Sequence, residues 1–166
     1  YLRIKPSEVS NPRTDGQVNQ RNKFSATLEF LQPNIDFIKV GFKEFTNKKS
    51  EFNAAMSYNL LNAITGIAPD FEVDYQNALV SRGNLAIALN GSNDFTTAGQ
   101  VGFSWDDNSN WGNANQDDKS MLLVYNPSKN QSSFVLDGAE RSTGSDTVTI
   151  PDNYAGDEIQ LYMAFI

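Results

Sequence analysis

The sequence predicts an α+β protein in which about three N-terminal helices pack on a C-terminal antiparallel β-sandwich of immunoglobulin-like topology. Three observations predict it. Apolar residues recur at helical spacing as far as Ala63, alternation with a period of two takes over at Phe71, and turn pairs such as Arg82-Gly83, Asn126-Pro127 and Asp137-Gly138 then separate short runs down to the C-terminus. The division falls between residues 1–68, a helical part with a terminal strand, and 69–166, the sandwich. The two are expected to form one continuous architecture.

Tyr1, Leu2, Arg3, Ile4 and Lys5 alternate apolar and basic residues and stop at Pro6, so they read as a strand in need of a partner. That partner is the chain's own sandwich, an upstream strand, or a neighbouring subunit. Residues from Ser7 to Arg13 form a linker. Thr14 with Gln17 makes a capping box opening a helix through about Gln32, with Arg21, Phe24, Leu28 and Leu31 along one side, and Pro33 ends it. Asn34 is the next N-cap, for a short apolar segment weakened by Gly41. Phe37, Phe42, Phe45 and Phe52 are expected in the core.

The stretch from Ser50 to Tyr75 joins the halves. Ser50 caps a helix and Glu51 sits where the helix dipole favours an anion. Phe52, Ala55, Met56, Leu60 and Ala63 share one face, and Thr65-Gly66 is read as the stop. Asn59 and, one turn on, Asn62 are structural candidates whose amides bond nearby loop backbone, Asn59 holding the turn from Gly66 to Pro69. Phe71, Val73 and Tyr75 alternate with acids and begin the sandwich. Further strands are expected at Ala78 to Arg82, Asn84 to Leu89, Gln100 to Asp106, Ser120 to Asn126, Ser132 to Leu136, Thr147 to Ile150 and Glu158 to Ile166. Asn90-Gly91 is read as a turn. Trp105, a structural candidate, is expected in the core with Leu123, Tyr125, Leu136, Val148, Ile150, Leu161 and Tyr162.

Composition narrows the chemistry. The 166 residues are 39% hydrophobic, enough for a folded core, and contain neither cysteine nor histidine. This removes disulfides, thiol nucleophiles, Ser-His-Asp triads and metal centres built on those side chains. No apolar run approaches the roughly 20 residues that span a bilayer. Charge is uneven: the first 68 residues carry nine Lys/Arg against six Asp/Glu, net +3, and the remaining 98 carry four against fourteen, net −10. The acidic majority disfavours nucleic acid, and the split lets the basic end of one copy face the acidic end of another.

Three blocks, NPRTDGQVNQRNKF (Asn11 to Phe24), FNAAMSYNLLNAITGIAPDFEVDY (Phe52 to Tyr75) and DDKSMLLVYNP (Asp117 to Pro127), together resemble an uncharacterised domain-of-unknown-function family common in the Bacteroidota. The first block is also similar to a segment of some phage-associated proteins. The resemblance implies no known activity and no catalytic residues.

The loop from Asp106 to Asp118 holds the remaining chemistry. Asp106, Asn108, Asn110 and Asp117 place oxygen ligands at offsets similar to a calcium loop, but Gly112 falls one place late and no bidentate Glu closes the loop. Calcium is the one candidate ion, and no other cofactor is called for. Trp111 with its neighbouring Asn side chains is the candidate contact for a glycan or protein. Carboxylate-only hydrolysis needs two facing acids among Asp106, Asp107, Asp117 and Asp118. We therefore expect no enzyme. The expectation is a structural, self-assembling subunit of an extracellular or cell-surface, filament-like assembly, using Tyr1 to Lys5 and opposed charges. The alternatives are a surface glycan- or protein-binding module, or a phage virion-associated protein.

Overall fold

The computed structural model describes residues 13–166, so the terminal strand expected at Tyr1 to Lys5 lies outside the described residues. The fold is α+β, with three α-helices followed by eight strands paired antiparallel. Helix α1 (Asp15–Leu31) starts as the sequence specifies, the Thr14 N–H donating to Gln17 Oε1 at 3.4 Å. Its C-terminal Phe30 and Leu31 are buried, whereas Phe24 stays exposed. Helix α2 (Ile35–Gly41) buries Phe37 and Ile38, and a 3-10 turn (Lys43–Phe45) follows. Helix α3 (Glu51–Asn62) is capped by Ser50, whose Oγ accepts the Asn53 N–H at 3.3 Å.

The helix stop differs from expectation. Thr65 and Gly66 lie in strand β1 (Ile64–Ile67), which pairs with β2 (Asp70–Val73) as a hairpin across Ala68-Pro69. The alternating run from Phe71 needed a strand partner, and the residues immediately before it supply one. Gly66 allows the close approach: it has φ +87°, and a Cβ there would stand 2.4 Å from the Asp70 carbonyl oxygen. Phe71 and Val73 thus begin a separate two-stranded sheet.

The other strands form two sheets. β4 (Gln100–Asp106) lies between β3 (Leu89–Asp94) and β7 (Ser145–Thr149), and β5 (Ser120–Asn126) lies between β6 (Gln131–Val135) and β8 (Gln160–Phe165). Every residue of β5 is buried. Its two faces serve different cores, as strand geometry requires of a central strand. Met121, Leu123 and Tyr125 join Phe30, Phe37, Phe42 and Ala55 beneath the helices, while Leu122 and Val124 join Val101, Phe103, Trp105 and Val148 of the opposite sheet. The order is therefore helices, then the β5 sheet, then the β4 sheet. Leu123 and Tyr125, expected between the sheets, face the helices instead, with Leu136 and Tyr162. Phe30 packs edge-on against Tyr75 and Tyr125 at ring distances of 5.7 and 5.3 Å, Tyr75 and Tyr125 lie tilted at 5.9 Å, and Tyr162 sits beside them.

Two expected strands, Ala78 to Arg82 and Asn84 to Leu89, do not form, and the expected Asn90-Gly91 turn is part of β3. The apolar pattern there is used for burial without a ladder. Ala78 and Val80 are buried under the helices, and Leu85 and Ala88 pack against the core between the sheets.

Candidate functional site

The irregular segment 76–88 has main-chain groups that must find partners, and side-chain amides provide many of them. Asn59 Nδ2 donates to the Leu79 carbonyl at 2.9 Å and its Oδ1 accepts the Leu79 N–H at 3.0 Å. The Arg82 N–H reaches the Gly41 carbonyl at 2.7 Å. Asn113 accepts the Ala86 N–H and donates to the Asn84 carbonyl, and Asn108 donates to the Ile87 carbonyl. Asn59 thus holds Leu79 and not the Gly66 to Pro69 turn. Asn62 is exposed and bonds back along its own helix, to the Tyr58 carbonyl.

Beneath this segment lies Arg141, a residue to which the sequence drew no attention. It is fully buried. Nε donates to Asp118 Oδ2 at 2.9 Å, Nη1 to Asn108 Oδ1 at 2.8 Å and Nη2 to the Ala86 carbonyl at 2.9 Å, while the guanidinium lies 3.8 Å from the Phe165 ring centre. Its own carbonyl accepts the Trp105 indole N–H at 2.7 Å, which satisfies the polar end of a buried Trp. One side chain therefore ties the 106–118 loop, segment 76–88 and β8 together. The acid-rich loop was a hint that a counter-charge is needed, but no spacing in the sequence identifies which of the few cations supplies it.

The calcium candidates are distributed differently. Asn108 is buried with its oxygen on Arg141 and its nitrogen on Ile87, whereas Asp106, Asn110 and Asp117 are exposed. Asp106 Oδ2 accepts from Asn90 Nδ2 at 2.7 Å. Ser109, through its side chain first and its backbone second, holds the Asp107 carboxyl below the ordinary carboxylate range. A cation at Asn108 would stand beside the guanidinium, and among the described residues no cluster of three or more acids is placed to hold a metal. Trp105 is buried between the sheets, and Trp111 is 60% exposed.

A cleft of about 700 Å³ opens beside segment 76–88. One wall is Val40, Gly41, Lys43 and Glu44 with residues 81–87, and the other is the end of β8, Met163 to Ile166, over Met121. Of the four loop acids Asp118 alone lines it, and its Oδ2 is taken by Arg141 and by the Asn115 N–H. The β8 wall is a strand edge. Lys119 and Ile166 exchange both main-chain hydrogen bonds, at 2.8 and 3.0 Å, so the alternation of an antiparallel ladder turns Gln160, Tyr162 and Ala164 towards β5. Leu161, Met163 and Phe165 turn their N–H and C=O groups away from it. β5 is the only strand paired with β8, and those outward groups meet no main-chain partner among the described residues.

The family model described as a family of unknown function, DUF6266, matches residues 1–166. The chain belongs to DUF6266. No curated protein and no solved structure matches it. The DUF6266 description assigns no activity, so the roles of residues in this chain rest on geometry. Among the described residues no helix is long and apolar enough to cross a membrane.

Proposed function

We propose that this DUF6266 chain is a non-enzymatic, self-assembling structural subunit of an extracellular or cell-surface assembly, joined by strand addition. The observation that carries the proposal is the outward edge of β8, which over Leu161, Met163 and Phe165 meets no main-chain partner among the described residues and is bordered by an open cleft. An edge of this kind offers main-chain hydrogen bonds to an incoming strand, which give affinity with little demand on side chains. The +3/−10 division of charge adds attraction between unlike ends of two copies. A Bacteroidota origin, an immunoglobulin-like relation between the two sheets and a filament as the final form belong to the same proposal. Sedimentation and electron microscopy of the chain with its native ends test it. Assembly that grows with concentration supports it, and a protein that stays monomeric at high concentration in both low and physiological salt overturns it.

A second proposal rests on Trp111, whose exposed indole projects from a loop fixed by Arg141. An aromatic face on a rigid support suits a glycan or a surface protein. Glycan-array binding abolished by Trp111→Ala supports it; binding indifferent to that substitution, or none, removes this loop.

A further inference from the structure

We infer that the β8 edge receives the segment Tyr1-Leu-Arg-Ile-Lys5 of a second copy of this chain, a step that rests on the proposed assembly and names its joint. The acceptor is specified by register. With Lys119 and Ile166 fixing the phase, β8 presents outward donors and acceptors at Leu161, Met163 and Phe165, a run that fits the pairing length of a five-residue strand. The faces on either side of the edge are apolar: Leu161 and Met163 lie towards the core between the sheets, and Tyr162 and Ala164 towards the helices. Met121 and Met163, both lining the cleft, are unbranched side chains that adapt to an incoming group.

The donor is specified by pattern and charge. Leu2 and Ile4 alternate with Arg3 and Lys5, so a strand of this sequence offers apolar residues on one side and cations on the other. Glu44, on the cleft wall, and Glu158, two residues before β8, are exposed and form no ion pair among the described residues. Two cations share that wall: Arg82 is stacked on Phe45 at 4.4 Å, while Lys43 stands exposed next to Glu44, which contacts Asn84. Glu158 therefore suits a cation of the donor, with Glu44 partly offset by the neighbouring Lys43.

Reach favours a second copy over the chain's own segment. Phe30, near the C-terminal end of α1, is the α1 residue whose ring packs beside Tyr162 of β8, at 6.3 Å. The start of the helix at Asp15 stands about 22 Å away along its axis at 1.5 Å per residue. Residues 6–14, which join Lys5 to that start, extend to at most about 32 Å. An intramolecular path would spend about two thirds of this reach in returning along α1, before rounding the edge to the cleft.

The test uses the full chain, with Ile4→p-benzoylphenylalanine incorporated and equal parts of unlabelled and ¹⁵N-labelled protein mixed before illumination. Mass spectrometry is expected to find cross-links from position 4 to residues 158–166 or to the cleft wall at 40–44, between labelled and unlabelled chains. A paired charge reversal, Glu44→Lys with Glu158→Lys, is expected to weaken association about fivefold, the scale of two exposed ion pairs. Adding Arg3→Glu and Lys5→Glu restores it. Sedimentation of the same samples separates the two levels of the proposal. Assembly with cross-links elsewhere, or only within one chain, overturns the β8 joint and leaves self-assembly standing. Monomers alone, at high concentration in both salts, overturn both.

Discussion

Asn59 holds both main-chain groups of Leu79, twenty residues further along the chain, its Nδ2 donating to the carbonyl and its Oδ1 accepting the N–H. The same Nδ2 also reaches the Ala55 carbonyl at 2.9 Å, and the side chain is buried. A single amide thus acts as a one-residue strand partner for segment 76–88. Asn59→Leu removes it while keeping similar volume, leaving the Leu79 N–H and C=O without partners. Each such group costs about 1–3 kcal/mol when buried, but Leu79 is only partly so, and a total of about 2–3 kcal/mol is expected. For a chain of this size that lowers Tm by roughly 5–10 °C. Thermal melting with hydrogen exchange at the Leu79 amide checks it; an unchanged Tm and a still-protected amide contradict the bridging role.

Gly41 offers a test with an unusual sign. Alanine is ordinarily better than glycine in a helix by about 1 kcal/mol. At Gly41, however, a Cβ would stand 2.7 Å from Ser81 Cβ and 2.8 Å from both Ser81 Cα and the Val80 carbonyl oxygen. Two of those atoms are backbone and the Arg82 N–H is bonded to the Gly41 carbonyl, so segment 76–88 must move. Gly41→Ala is expected to destabilise by about 1–3 kcal/mol. Gly16→Ala in α1, where no atom lies within 4 Å of the new Cβ, is the control and should stabilise by a few tenths of a kcal/mol, roughly. Urea unfolding of the pair decides it, and equal shifts would mean that the segment yields freely.

Arg141 is expected to be intolerant even of lysine. Its three bonds use the fixed fork of a guanidinium to reach Asp118, Asn108 and the Ala86 carbonyl at once, and a single ammonium does not span that set. Arg141→Lys should cost about 2 kcal/mol, and Arg141→Met, which leaves Asp118 without its counter-charge, about 3 kcal/mol. Adding Asp118→Asn to Arg141→Met removes the stranded charge and should recover part of the loss. Unfolding midpoints in urea measure all three. No recovery in the double variant would show that packing on Phe165, and not charge, is what Arg141 supplies.

Legibility in the sequence followed the kind of interaction. Helix starts rest on local signals, Thr14 with Gln17 and Ser50, and these appear where expected. Strand β4, with Val101, Phe103 and Trp105 at alternate positions, and β5, a continuous apolar run, match their expected bounds. The segment 76–88 has the same apolar alternation, yet its pairing is done by Asn59, Asn108, Asn113 and Arg141, residues up to 55 positions away. Periodicity records which side chains are buried, not which groups bond the main chain. β3 was missed for the opposite reason: Leu-Asn-Gly-Ser-Asn-Asp is an exposed edge with almost no apolar pattern to read. The cleft was equally invisible, since its walls come from α2, the 3-10 turn, segment 76–88 and β8, which meet only in the folded chain.

The tyrosines beneath the helices make the last prediction, an alkaline one. Burial, foremost, raises the phenol pKa of both Tyr125 and Tyr162 well above the ordinary value of 10, and the neighbouring Tyr75 adds to each. A raised folded pKa means that the folded state holds its protons after the unfolded chain has released them. Stability from these groups is therefore fully present below about pH 10, the unfolded value, and declines as pH rises above it. Stability should be level from neutral pH to about 10 and then fall, with the tyrosinate absorbance of these two phenols, read as the difference from the Tyr125→Phe and Tyr162→Phe variants, appearing together with unfolding and not before it. Tyr162→Phe removes one titrating phenol and leaves the ring packed, at the expense of its 3.1 Å hydrogen bond to the Tyr75 carbonyl. The variant should start less stable at neutral pH but lose stability less steeply above pH 10. Parallel steep losses in the two proteins would mean that Tyr162 ionises freely in the folded state, and that the core beneath the helices is open to water.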